Sequence, residues 1–180
     1  MPPRMTNSPD DAAIQLASDA PSAAIVARGA GSPRVPDDVR LQRLWLAMQR
    51  RPWRSLAVLA SSNSVDAIWV AELVAKLVWW YRGEQSAVFD FRDLTLRLVD
   101  YHLAEVAAQA NAQIVVIMYS TFANPTSVPV AHSADAVVLC LELGKTDLKS
   151  TQQSIADIGA DRVLGSIVLR PSRARSASTG

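Results

Sequence analysis

The run Ser61-Ser62-Asn63-Ser64-Val65-Asp66 lies between a short apolar stretch and a long helical pattern, the position at which a nucleotide-binding loop would hold phosphate. Such a loop needs glycines, so that backbone N–H groups can close around the phosphate, and a lysine to counter its charge. This chain has no glycine between Gly31 and Gly83, and its first lysine after the apolar stretch is Lys76, deep in the helical pattern. Asp66 near the helix start would repel phosphate. The serine hydroxyls remain as hydrogen-bond donors to an anion, and a polar helix-capping loop explains them equally well. Other residues with reactive chemistry are scattered. Asp90, Asp93 and His102 have metal-ligand types, but Asp90 at a strand end also suits a capping role, and His102 falls mid-helix. His132, Asp135 and a serine would make a hydrolytic triad, but no nucleophile elbow accompanies them. Cys140 sits inside an apolar run and reads as a buried, inert thiol.

The elements that must position these residues follow from hydrophobic period. Helices are predicted over 37–49, 65–81, 94–111 and 148–158. Strands are predicted over 55–61, 86–91, 113–119, 134–142 and 162–169, with a loop containing Pro125 and Pro129 between the third and fourth. The strands are nearly continuous apolar runs alternating with helices. That pattern predicts an α/β fold with a mostly parallel sheet of five or more strands and helices on both faces.

Composition bounds the rest. The chain has 180 residues, 49% hydrophobic and 19% charged, which suits one globular domain. Residues 1–36 are rich in Pro, Ser, Ala, Asp and Gly and read as disordered, although Ala12–Leu16 has the character of a transient helix or docking peptide. Residues 171–180 read as a flexible basic tail, leaving a domain over 37–170. The net charge of +1 conceals an uneven distribution: residues 1–54 carry eight basic and five acidic groups, and residues 170–180 three arginines and no acid. The intervening body carries seven basic and twelve acidic groups, which argues against nucleic-acid binding. One cysteine precludes an intramolecular disulfide, and no apolar run is long enough to span a bilayer. A cytoplasmic protein is expected.

The order of the elements resembles the deviant P-loop ATPases of the MinD/ParA group, and among them the bacterial tyrosine kinases of exopolysaccharide synthesis. The resemblance covers about residues 37–170 and is carried by three stretches. They are Ser133-Ala134-Asp135-Ala136-Val137-Val138-Leu139, then Leu143-Gly144-Lys145-Thr146, then Val163-Leu164-Gly165-Ser166-Ile167-Val168-Leu169. Ala87-Val88-Phe89-Asp90-Phe91-Arg92-Asp93 resembles the kinases' second acidic motif, with Arg92 where a second Asp is expected. Asp37, Arg40 and Arg43 resemble their E-x-x-R-x-x-R self-association motif. The third acidic motif is missing, since Ile114–Met118 runs into Tyr119-Ser120-Thr121-Phe122, and the tail carries no tyrosine cluster. The resemblance thus implies a degenerate nucleotide pocket formed by Ser61, Ser62, Ser64, Asp66, Asp90, Ser120 and Thr121, with no ATP or magnesium as cofactor. It implies a non-catalytic accessory of a polysaccharide synthesis or secretion machine, self-associating or paired with a MinD-like partner at the inner face of the membrane. A divergent ATPase and a nucleotide-independent cell-division regulator are the alternatives.

Interaction is the remaining chemistry. Trp69 and Trp80 lie eleven residues apart, nearly on one helical face, and Trp45 and Trp53 flank the first helix. They either fill space between helices and sheet or anchor an interface, where Trp and Arg are enriched. Arg40, Arg43, Arg50, Arg51 and Arg54 form either a solvated face or a docking surface for an acidic partner.

Overall fold

The computed structural model describes residues 25–27, 37–62, 67–109 and 111–170. Its elements are β1 (Ile25–Ala27), α1 (Val39–Met48), β2 (Ser55–Ala60), α2 (Ala67–Arg82), β3 (Ser86–Asp90), α3 (Val99–Ala107), β4 (Gln113–Tyr119), α4 (Ser127–Ser133), β5 (Ala136–Glu142), α5 (Leu148–Ile158) and β6 (Val163–Leu169). Short 3-10 turns precede α3 and β6. The strands make one sheet in the order β1-β3-β4-β2-β5-β6. β2 to β6 are mutually parallel, as the continuous apolar runs predict, and β1 adds an antiparallel edge.

Both faces of the sheet are covered. Alternate residues of β2, with partners on β3, β4 and β5, pack under α1 and α2 on one face. The residues between them pack under α3, α4 and α5 on the other. Burial on both faces is why the strands carry apolar residues at every position rather than at every second one.

Three expectations are corrected. Ile25–Ala27, inside the segment read as disordered, pairs Ile25 with Val88 and Ala27 with Ser86, because the edge of β3 offers backbone groups to a further strand. The remainder of 1–36, and 171–180, lie outside the described residues. The helix expected over 94–111 begins only at Val99, because Thr95 is extended and the Leu94 carbonyl accepts from Asn124 Nδ2 and Thr126 Oγ1 instead of entering a helix. The loop with two prolines contains α4. Pro129 is its third residue, within the first turn, where the N–H it lacks has no helical partner to lose.

The first helix is fixed to the second by aromatic rings around a cation. Trp45 stacks on Tyr81 with centroids 5.1 Å apart, and the Arg82 guanidinium lies 5.3 Å from the Trp45 ring and 5.2 Å from that of Trp53. Arg82 Nη2 donates to Gln49 Oε1 at 2.7 Å, and Trp53 Nε1 to the Met48 carbonyl at 3.0 Å. Trp45 is therefore a core residue and not a surface anchor. Each cation–π contact adds about 0.5–2 kcal/mol.

Asp135 ties the amino ends of β5 and β2 together. Its Oδ2 accepts from the Arg54 and Ser55 amides at 2.9 and 2.8 Å and from the Ser55 hydroxyl at 2.9 Å. Burial pushes its carboxyl up, but these donors and the charge of Arg51 outweigh burial and hold it below the usual carboxylate range. A depressed folded pKa supplies stability that is present above the unfolded value of about 3.9 and is lost as pH falls through the folded value. Asp135→Asn is expected to cost about 1 kcal/mol at neutral pH. In urea melts followed by circular dichroism, the gap from the wild type should close as pH falls below about 4.

Candidate functional site

In an open parallel sheet the ligand crevice lies beyond the carboxyl ends of the strands, where neighbouring connections leave in opposite directions. Here β2 meets that condition with both of its neighbours, β4 and β5. From β2 the chain turns through α2 towards β3, and from β5 it turns through α5, on the other face, towards β6.

The crevice between them is bridged by hydroxyls. Ser61, buried at the end of β2, has its Oγ 2.8 Å from Thr146 Oγ1, and its amide donates to the Cys140 carbonyl at 2.9 Å. Thr146 Oγ1 also accepts from the Glu142 amide at 2.7 Å. Beside it, Lys145 Nζ lies 2.8 Å from Glu142 Oε1. The lysine that follows β5 is thus directed to its own strand's carboxylate. Ser62 is half-buried next to Ser61, while Ser64 and Asp66 lie outside the described residues.

At the end of β3, Asp90 meets Arg92. The guanidinium donates from Nε to Oδ1 at 2.8 Å and from Nη2 to Oδ2 at 2.6 Å, and the Arg92 amide donates to Oδ1 at 3.2 Å. The Arg92 guanidinium also lies over the Tyr119 ring, 5.7 Å from its centroid. The side-chain hydrogen bonds to Asp90 raise the Arg92 pKa further, so the guanidinium stays charged. Both Asp90 oxygens therefore face a fixed cation. A divalent ion would have to displace the guanidinium to bind there.

At the end of β4, Ser120 and Thr121 are buried and serve the fold. Ser120 Oγ accepts from the Ala123 amide at 3.2 Å, closing the turn. Thr121 Oγ1 donates to Asp157 Oδ2 at 2.6 Å on α5, which holds the Asp157 carboxyl below its ordinary range. Asn124 then donates to the Arg92 and Leu94 carbonyls at 3.0 and 3.1 Å, lashing this loop to the one after β3.

Comparison with family models and with curated proteins returns no match. The chemistry of the edge must be judged on its own residues.

Among the described residues no three His, Cys, Asp or Glu side chains converge as metal ligands. Asp90, Asp93 and His102 do not meet: His102 is buried against Phe91, with Nδ1 3.1 Å from Glu105 Oε2. His132 and Asp135 also part, His132 Nε2 lying 3.4 Å from the Asp157 carbonyl while Asp135 holds β2. Cys140 is buried in β5, as expected. Of the interaction candidates, Arg40 and Arg43 are exposed on α1, Trp69 is exposed in the first turn of α2, and Trp80 packs partly against the core. The charged pair at the α1 start is Asp38 with Arg40, at 2.9 Å, rather than Asp37; Asp38 also caps the helix by accepting from the Arg40 amide. The Arg40 side chain and amide pull the Asp38 carboxyl below its ordinary range.

Two braces escaped the sequence reading. The Asn124-Pro125 pair is a turn signal that marks the first, while nothing local to Thr146 indicates that its partner is Ser61. A double-mutant cycle with Ser61→Ala and Thr146→Val should give a coupling of about 0.5–1.5 kcal/mol in denaturant unfolding. Additive losses would place the two hydroxyls apart in solution.

Proposed function

We propose that this chain is a non-catalytic accessory that works through contacts made by its surface, built on an architecture resembling the MinD/ParA-like ATPases. The observation that carries the reading is the Asp90–Arg92 pair. A fixed guanidinium lies on the carboxylate that a nucleotide-hydrolysing relative would use with magnesium. Phosphoryl transfer depends on charge neutralisation by a metal and on donors around the phosphates. At this edge the carboxylate, the serine and the lysine have internal partners. The strand order is compatible with the P-loop architecture, with the strands that would carry the first and third motifs, β2 and β4, side by side.

By the same resemblance, the partner is a second copy or a MinD-like component of a bacterial polysaccharide synthesis or export machine. The contact is made through the α1 surface around Arg40 and Arg43. No described helix is long and apolar enough to cross a membrane. By the resemblance, the chain works next to the inner face of the cytoplasmic membrane.

Titration calorimetry of the full chain with ATP or ADP and magnesium is expected to show no binding. Micromolar binding that disappears in Asp90→Asn would overturn the non-catalytic reading. Arg40→Glu together with Arg43→Glu should change the mass seen by light scattering or the recovery of a partner, with thermal melting as the control for folding. If mass and recovery both stay the same, α1 is not the contact.

A further inference from the structure

The two edges of the sheet are finished differently. Against β3 the chain lays the three-residue antiparallel strand β1. Among the described residues nothing pairs beyond β6, which is left as a seven-residue edge. The Leu169 carbonyl accepts from the Leu143 amide on the β5 side at 3.0 Å. Alternation along the strand therefore turns the backbone N–H and C=O groups of Ser166 and Val168 outwards. Edge strands are ordinarily guarded by a charge, a proline or an irregularity. Val163–Leu169 contains neither charge nor proline, and its irregularity, the extra residue Leu164, comes before the stretch that faces out. Val168 is 51% exposed, and Gly165 and Ser166 are exposed beside it.

The side chains on this edge are matched to their own strand. Ile167 and Leu169 pack on the side of α1, and Gly165 shares their face by alternation. No atom lies within 4 Å of the point where a Gly165 Cβ would stand. Next to it an apolar hollow of about 40 Å³ is lined by Leu44, Ala47 and Met48 of α1 and by Val138 and Gly165. From this arrangement we propose that β6 pairs antiparallel with β6 of a second copy of this chain, across a two-fold axis at Ser166. In that register Ser166 meets its own equivalent, and their outward N–H and C=O groups exchange two hydrogen bonds. Gly165 then lies opposite Ile167 of the other copy in a non-hydrogen-bonded pair, where facing side chains come closest. Each Ile167 enters the space that the other copy's glycine leaves. Any extended strand could satisfy the backbone of this edge. A second copy is favoured because hollow and side chain sit on one face, one residue to either side of Ser166, so a single axis there fits both at once. No like charges oppose each other along Val163–Leu169. Cations approach only at the ends, Arg170 of one copy towards Arg162 of the other, with Asp161 exposed alongside. The Arg162 guanidinium is turned to the His132 and Ala134 carbonyls, at 3.0 and 3.2 Å.

The pairing does not use Arg40 or Arg43, so its test is separate from that of the α1 contact. Sedimentation velocity of the full chain at micromolar concentrations should show a dimer. Ser166→Lys sets two ammonium groups face to face at the axis and should weaken the dimer about tenfold. Ser166→Glu should do the same, and an equimolar mixture of the two variants should restore association. Position 166 is exposed, so both variants should keep the wild-type circular dichroism. Under mild oxidation Ser166→Cys should form a disulfide between copies, because the facing Cα atoms of such a pair lie about 5.5 Å apart. Val168→Cys should not, since its two equivalents stand four residues out of register. Cys140 is buried and leaves the background unreactive. The disulfide at 166 should also form in the Arg40→Glu, Arg43→Glu chain, which shows the edge contact standing even where the α1 contact fails. A monomer at every concentration, the result expected if a segment of the same chain covers the edge, would overturn the pairing. A dimer unchanged by both the lysine and the glutamate variant would overturn it too, as would cross-linking at position 168 as readily as at 166.

Discussion

Strand β2 has protein on every side. It lies between β4 and β5 in the sheet and between two helical layers, and Leu56–Ala60 are all buried. Such a strand has nowhere to put a polar side chain, and its backbone groups must be satisfied where the ladder ends. Both ends are closed from the β5 side: Asp135 accepts from the amides entering β2, and the Cys140 carbonyl and the Thr146 hydroxyl meet Ser61 as it leaves. The rest of the architecture builds outwards from that buried strand.

The closing of the carboxyl end decides what the edge can do. In a phosphate-binding loop the backbone amides after such a strand stay available to a ligand. Here the Ser61 amide is spent on Cys140, and the hydroxyls of Ser61 and Thr121 bind other parts of the fold. Polar residue types survive, while their hydrogen-bonding capacity is directed inwards. This inward direction braces the loops against one another.

Hydrophobic period made the parallel sheet and most of its helices legible in the sequence, because burial on both faces leaves a continuous signal. The C-terminal end of α2 was legible too: Gly83 adopts φ +69°, the left-handed conformation that favours glycine at a helix stop. Elements set by tertiary partners were harder to read. Nothing in Leu94–Leu98 says that its carbonyls will be taken by Asn124 and Thr126, and Pro129 looks like a breaker until its place in a first turn is known. Asp90 closes β3 and Ser61 follows β2, the strand-end positions that the hydrophobic period gives them. What sequence could not convey was pairing across long separations, such as Ser61 with Thr146 and Trp45 with Tyr81.

Asp90 and Arg92 differ from these long-range pairs because only one residue, Phe91, separates them. A counter-ion attached to the same short loop has a high local effective concentration that dilution does not lower. The carboxylate therefore carries its own tethered competitive inhibitor for any cation that approaches. Its neutralisation requires no ligand, no partner and no change of shape. Metal binding at this loop would need the arginine removed as well as further ligands added, which no single substitution supplies.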